Sequence, residues 1–172
     1  MKTPSRSILG INPNPIGGAL ALYHPESGAL NLADIPTIGR RKARRIDHRA
    51  LALLINEWSA DIRCVYIAEP SRQSAAVSVT QGICAGNLLA VTAVTANVWR
   101  KAVNAPKGEC RARAYQLFPA HAERWSDKTH TGCAEAALVA YYGQLALAVL
   151  CLSPRGQRLR LAAISQSAPQ AL

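Results

Sequence analysis

Acidic side chains are scarce in this chain. It has 10 Asp and Glu among 172 residues, against 20 Lys and Arg, and a formal net charge of +10. Because 49% of the residues are hydrophobic, disorder is excluded as the default, and the charge excess favours a polyanionic partner, nucleic acid ahead of an anionic membrane. A basic but inert surface is the plain alternative.

Cysteine pairs at metal-binding spacing are also missing. The five cysteines are widely spaced, and none forms a Cys-x-x-Cys pair. This usage excludes a zinc knuckle and a disulfide scaffold, and it is typical of buried thiols in a reducing, cytoplasmic compartment. The apolar run behind Lys2 and Arg6 is too short for a secretory signal.

Charge is absent from residues 136–152, which are almost long enough to span a bilayer. Polar and small residues at 141–144 interrupt this stretch, so we interpret it as a buried core helix and expect no membrane contact. A transmembrane span is the alternative. We expect one domain over residues 1–152 and a flexible basic tail over 153–172.

The apolar pattern predicts a sheet flanked by helices. Residues 7–12 and 19–23 form a hairpin, since Pro13 and Pro15 end the first run and Gly17 and Gly18 permit a tight return. A third strand at 29–33 completes an antiparallel meander. The remaining segments are a helix at 47–59 with Asp47 as its N-cap, a strand at 63–68, a helix at 73–89, a strand at 90–95, helices at 97–103, 109–118 and 131–152, and an irregular stretch at 121–128.

Basic residues are concentrated after the third strand. The run at 39–45 has no apolar period, which predicts a solvated loop. Solvated charge and phosphate contact are both open interpretations of this run. The candidate phosphate-binding residues are Arg40, Arg41, Lys42, Arg44 and Arg45, with Arg72, Arg100 and Lys101 elsewhere in the chain.

The order of these elements, together with several short segments, resembles the RuvC-type Holliday-junction resolvases. The resemblance covers residues 7 to about 143 and implies a ribonuclease H-like α/β fold, a mixed sheet of three antiparallel and then two parallel strands. The segments that carry it are ILGINP at 8–13, RRID at 44–47, VYIAEP at 65–70, VT at 94–95 with WRK at 99–101, LFP at 117–119 and GCAEAALVA at 132–140.

The same resemblance implies a metal site whose ligands are largely replaced here. In that family an acid ends the first strand, a Glu ends the central parallel strand, and two acids, or a His and an acid, begin the last helix. Together they hold two divalent ions that activate a water molecule. In this chain the matching positions carry Asn12, Ala68, His130 with Thr131, and Glu135.

The resulting candidate site is degenerate: Asn12, Glu69, His130 and Glu135. Glu69 follows Ala68, and strand alternation predicts that it faces away unless a bulge turns it in. The plain interpretations are a turn-capping Asn12, a surface Glu69 and a polar helix-start His130. Glu135, an acid on an apolar helix, either reaches a pocket or contacts arginines.

These residues predict a RuvC-like DNA-binding protein with an inactive nuclease site, which binds branched or duplex DNA through its phosphates. At most one of these residues, Glu135, is expected to bind a metal ion, so no cofactor is expected. The resemblance also implies a homodimer. One alternative is an active Mg²⁺-dependent endonuclease with an altered ligand set, or a chain in which Asn12 is an introduced substitution. Another is a protein-interaction module on the same fold. Arginines around Asn12 would favour DNA binding.

Overall fold

A five-stranded mixed sheet lies at the centre of the computed structural model, which describes residues 7–40, 43–70, 74–126 and 131–152. The sheet order is β3-β2-β1-β6-β7, with β1 in the middle, antiparallel to β2 and parallel to β6. The predicted sheet is therefore confirmed. Its strands are β1 (Ser7–Asn12), β2 (Ala19–His24), β3 (Ala29–Asp34), β6 (Ile62–Glu69) and β7 (Val91–Thr95).

Helices cover both faces of the sheet. On one face α1 and α2 pack on Leu9 and Ile11 of β1, while on the other α6 packs on Ile8. Asp47 caps α1 as predicted, because its carboxylate accepts a hydrogen bond from the Ala50 N–H at 3.1 Å. The helices are α1 (His48–Trp58), α2 (Ala75–Gly86), α3 (Ala96–Ala102), α4 (Cys110–Leu117), α5 (Ala122–Ser126) and α6 (Thr131–Leu152).

Two predicted irregular segments contain regular structure. The basic run is not a simple loop, because β4 (Thr37–Ile38) pairs with β5 (Arg45–Ile46) and closes it into a small ladder with Ile46 buried. The stretch at 121–128 contains α5, which places Trp125 in the core at 3% exposure. The ladder and α5 each have one buried apolar residue, a signal too short for a periodicity argument.

The last helix packs directly against the sheet. A Cβ on Gly10 would collide with the backbone of Ala136 and Ala140, so only glycine allows this approach of β1 to α6. Residues Thr131–Leu150 are long and apolar enough to cross a membrane, with mean hydropathy 1.5, and 44% of the stretch is buried within the protein. The predicted core helix at 136–152 is therefore confirmed for residues 136–140, whereas Val149 and Leu150 near its end are exposed.

Candidate functional site

A cavity of about 520 Å³ opens where the central strands end. It is lined by residues of β1, β6, α3 and α6, together with Ser74 at the start of α2. Three of the four predicted site residues, Asn12, Glu69 and Glu135, lie in it. The fourth, His130, lies outside the described residues.

Strand alternation decides which side chains meet α6. Tyr66 of β6 belongs to the core cluster on the α6 side, and Ala68 packs against the same cluster, whereas Val65 and Ile67 face α1 and α2. Ala68 therefore occupies the place beside Asn12 where the resemblance expects a Glu.

Glu69, the residue after Ala68, is also among the residues that line the cavity, although strand alternation predicts that it faces away from α6. No bulge turns it in, since the β6–β7 pairing runs without a shift to Glu69 and Thr95. Glu69 is half-buried, and it is the last residue of β6. The cavity extends past the end of the sheet toward Ser74, so both faces of the strand contribute to its wall.

Asn12 does not cap a turn with its side chain. Its Nδ2 donates a hydrogen bond to Glu135 Oε2 at 2.8 Å, which links β1 to α6. The neighbouring turn is capped instead by Asn14, whose Oδ1 accepts from the Ile16 N–H at 2.9 Å. The plain interpretation of Asn12 is therefore wrong.

The second oxygen of Glu135 is bound by an arginine. Arg100 Nη2 donates to Glu135 Oε1 at 2.6 Å, and the two side chains are only 23% and 19% exposed. Burial lowers the pKa of Arg100, but the hydrogen bond and charge of Glu135 more than offset this and leave the pKa above its ordinary value. Glu135 thus both reaches a pocket and contacts an arginine, the two options that its sequence context left open.

The indole of Trp99 supports the Arg100 guanidinium. Arg100 Cζ lies 5.1 Å from the Trp99 ring centroid, within the range of a cation–π contact. Trp99 itself is 1% exposed and lines the cavity. The sequence named Arg100 only as a phosphate-binding residue; its contact with Glu135 joins positions 35 apart, beyond the reach of local periodicity.

A site for two divalent ions does not fit these residues. Two such ions need several carboxylates, and here Asn12 is neutral, Ala68 has no ligand atom and Glu135 is already paired with Arg100. Across the described residues, no group of three or more His, Cys, Asp and Glu is close enough to hold a metal ion.

Among the predicted phosphate-binding residues that the structure describes, Arg100 and Arg44 line cavities and the others are exposed. Arg44 lines a second cavity, of about 230 Å³, that adjoins the first at Pro15. Arg40, Arg45 and Lys101 are exposed. Arg41, Lys42 and Arg72 lie outside the described residues.

Sequence reasoning missed a second polar cluster at the start of α6. The buried Cys133 thiol donates to Asp34 Oδ1 at 3.3 Å, and Arg124 Nη2 lies 3.4 Å from the same oxygen. Burial, followed by the hydrogen bond to Asp34, raises the pKa of Cys133 to about 11, so the thiol stays protonated. This cluster ties β3 and α5 to α6, two residues before Glu135.

The chain matches no family model and no curated protein sequence. Among solved structures it is similar in fold to RuvC of T. thermophilus in complex with a Holliday junction substrate, with a TM-score of 0.59 and 14% identity over 81% of this chain and 96% of that one. A second RuvC structure, from Thermus thermophilus, has the same identity and coverage and a TM-score of 0.50. These likenesses define the class of fold as ribonuclease H-like. Within that class, the fold is RuvC-like.

Proposed function

We propose that this chain is a DNA-binding protein that uses a RuvC-like fold to recognise branched or duplex DNA and does not cut it. The observation that carries the proposal is the Arg100–Glu135 ion pair, which occupies the carboxylate that a catalytic ion would need. The neutral Asn12 beside it removes a further charge from the same place.

The inactive site follows from the charge that two-metal hydrolysis requires. Divalent ions are held by carboxylates that offset their charge, and they lower the pKa of a bound water to generate the nucleophile. With Glu135 neutralised by Arg100 and Ala68 in place of an acid, the described residues provide no such cage.

DNA binding is supported by charge. The net charge of +10 favours a polyanion, and Arg44 and Arg100 line adjoining cavities that share Pro15. A phosphate chain crossing the β1–β2 turn would contact both. The RuvC structure with a Holliday junction substrate makes a four-way junction the first ligand to test.

Two finer features belong to the same proposal. The protein acts as a homodimer, because a four-way junction has a two-fold axis that a symmetric dimer matches. It serves in DNA recombination or in another process that forms branched DNA. Light scattering at several protein concentrations measures the first of these.

The test is a gel shift with a labelled four-way junction and a linear duplex of the same sequence. We expect junction binding that weakens steeply from about 50 to 200 mM salt, since released counterions drive phosphate contact. Incubation with Mg²⁺ or Mn²⁺ should leave the junction uncut. Equal affinity for junction and duplex would contradict specific recognition of junctions. Binding to neither would favour a protein-interaction module.

One observation favours an active enzyme as the second candidate: Asn12, Glu69 and Glu135 share one cavity. Under that function, this set would bind a single ion with His130 as a further ligand. Symmetric nicks in the junction that disappear in Glu135→Gln would establish it and overturn the inactive site.

A further inference from the structure

The acids of the large cavity outnumber its bases. Glu69 and Glu135 contribute two carboxylates, and Arg100 is the cation that lines the same wall among the described residues. Asn12 Oδ1 adds a neutral oxygen beside them, because the amide nitrogen of Asn12 is the atom that binds Glu135. Without Arg100, the cavity would be lined by two acidic residues and an amide, whose oxygens are the ligand types that hard divalent and trivalent cations prefer.

Arg100 is held in place from two directions. Its Nη2 donates to Glu135, and its guanidinium lies against the buried Trp99 ring. Its Nε is buried and has no hydrogen-bond partner among the described residues. A guanidinium has five N–H donors, while of the two oxygens of Glu135 one already accepts from Asn12. Because the Arg100 side chain is 23% exposed, Nη donors that Glu135 does not engage remain for a ligand.

We propose that Arg100 is a built-in replacement for a metal ion in this cavity: it neutralises Glu135 and binds one phosphate of a nucleic-acid backbone, so that the contact needs no divalent cation. The inference rests on the proposed DNA binding for its ligand, whereas the exclusion of cations stands on the cavity alone. Arginine suits this role because its planar guanidinium can donate two parallel hydrogen bonds to a phosphate and stays charged at any working pH.

The remaining carboxylate restricts which phosphate is bound. Glu69 is half-buried in the wall and repels added negative charge. An internal phosphodiester carries one negative charge, whereas a terminal phosphate monoester carries close to two at neutral pH. The cavity therefore takes a backbone phosphate within a strand rather than a 5′-phosphate end.

The first experiment measures cation binding by Tb³⁺ luminescence sensitised by tryptophan, since Trp99 lines the cavity. We expect no saturable signal from the wild type or from Arg63→Met, a matched loss of an exposed arginine at the other end of β6. Arg100→Met should give a saturable signal whose midpoint lies at least about ten-fold below the highest Tb³⁺ concentration at which the wild type shows none. A second change, Glu135→Gln, should abolish that signal. Unchanged Tb³⁺ binding by Arg100→Met would refute the replacement of a metal ion.

The second experiment measures binding of a labelled four-way junction in EDTA and in Mg²⁺ at matched ionic strength. We expect equal wild-type affinity in both buffers, a loss of about ten-fold for Arg100→Met, and no change for Arg63→Met. Arg100→Lys, which keeps the positive charge but lacks the planar guanidinium, should lose less junction affinity. Its melting curve controls for folding. Wild-type affinity that depends on Mg²⁺, or full affinity in Arg100→Met, would overturn the phosphate contact.

The two experiments separate this inference from the proposed function. A wild type that binds no DNA would overturn the proposed function, yet the Tb³⁺ series would still decide whether Arg100 excludes cations. Adding a 5′-phosphate to a short single strand should not raise its affinity, and a rise of about ten-fold would refute the selection of internal phosphates.

Discussion

The amide of Asn12 is adapted to a site without metal. Its Nδ2 is a donor, and Glu135 Oε2 accepts from it at 2.8 Å. A carboxylate at the same position would be an acceptor only, and it would face the Glu135 carboxylate with no proton between them. The present pair is therefore stable only because one member is neutral.

Asn12→Asp should lower the free energy of unfolding by about 1–2 kcal/mol at pH 7, because it replaces a hydrogen bond with like-charge repulsion. The repulsion raises the pKa of the introduced carboxyl in the folded state, so the lost stability should return as the pH falls toward about 4 and a proton is regained. Urea unfolding at both pH values measures this.

Asn14→Asp is the control for this change. Asn14 is exposed, and its Oδ1 accepts the hydrogen bond from the Ile16 N–H, which an Asp oxygen can also accept. It should change stability by no more than about 0.5 kcal/mol. An Asn12→Asp protein as stable as the wild type at pH 7 would contradict the geometry described for Glu135.

At the scale of single residues, the sequence predicted which side chains form the site better than it predicted which of them contact each other. Asn12 and Glu135 could be named from the strand end and the helix start that carry them, because both positions are local properties. Arg100 could be named as a cation but not as the partner of Glu135, since only the packing of α3 against α6 brings them together.

Among the elements, α6 determines the geometry of the site. Its first turn lies against the β1–β2 turn so closely that a Cβ on Gly132 would overlap the carbonyl oxygen of Gly17. Because Gly132 precedes Glu135 by less than one turn, a shift here would move Glu135 away from Asn12. The close approach of α6 to the sheet thus determines the geometry of the Asn12–Glu135 hydrogen bond.

Gly132→Ala should destabilise the protein by about 1–3 kcal/mol, the range typical of overpacking in a close contact. It should also weaken junction binding, because Arg100 would lose part of its support from Glu135. Thermal unfolding followed by circular dichroism measures the first effect.

Gly82→Ala is the matched control, since a Cβ at this exposed position of α2 meets nothing within 4 Å. This variant should be more stable by about 0.5–1 kcal/mol, because alanine loses less backbone entropy in a helix. Equal effects of the two substitutions would mean that α6 does not lie as close to the turn as described.

Long elements could be predicted from the sequence, α1 from its helical apolar period and α6 from its uncharged apolar run, and short ones could not. The pattern indicated α1 and α6 at nearly their observed bounds. The pattern did not indicate α5 or the β4–β5 ladder, since each has one buried residue, Trp125 and Ile46, whose burial depends on distant parts of the chain.

For the whole molecule, the charge excess should appear in the salt dependence of DNA binding. Each phosphate neutralised adds roughly 0.9 to the slope of log affinity against log salt. Replacing Arg44 and Arg45 with Met should flatten the slope by roughly 0.9 for every phosphate that these two arginines neutralise. Fluorescence anisotropy with a labelled junction at several salt concentrations gives both slopes.

The control variant replaces Arg63 and Lys107, which are also exposed, and removes the same net charge. Its slope should stay close to that of the wild type, although its affinity falls slightly through the long-range field. Equal slopes for the two variants would show that the positive charge acts as a whole rather than through a defined path.

The fold of the whole chain could be predicted because its topology rests on the order of apolar segments. The three antiparallel and two parallel strands followed from hairpins and from crossovers through helices, which few topologies satisfy, whereas the order of the strands in the sheet was not predicted. The boundaries of the site could not be derived in the same way, because the cavity extends over both faces of β6 at its end and so includes Glu69 as well as Ala68.

At this end of β6, the deletion of one residue would place an additional acid beside Asn12. Removing Ala68 alone would bring Glu69 into its place, next to Asn12 and facing α6, while every earlier residue of β6 kept its side. The carboxylate that is missing beside Asn12 is thus still encoded in the chain, one residue further along β6.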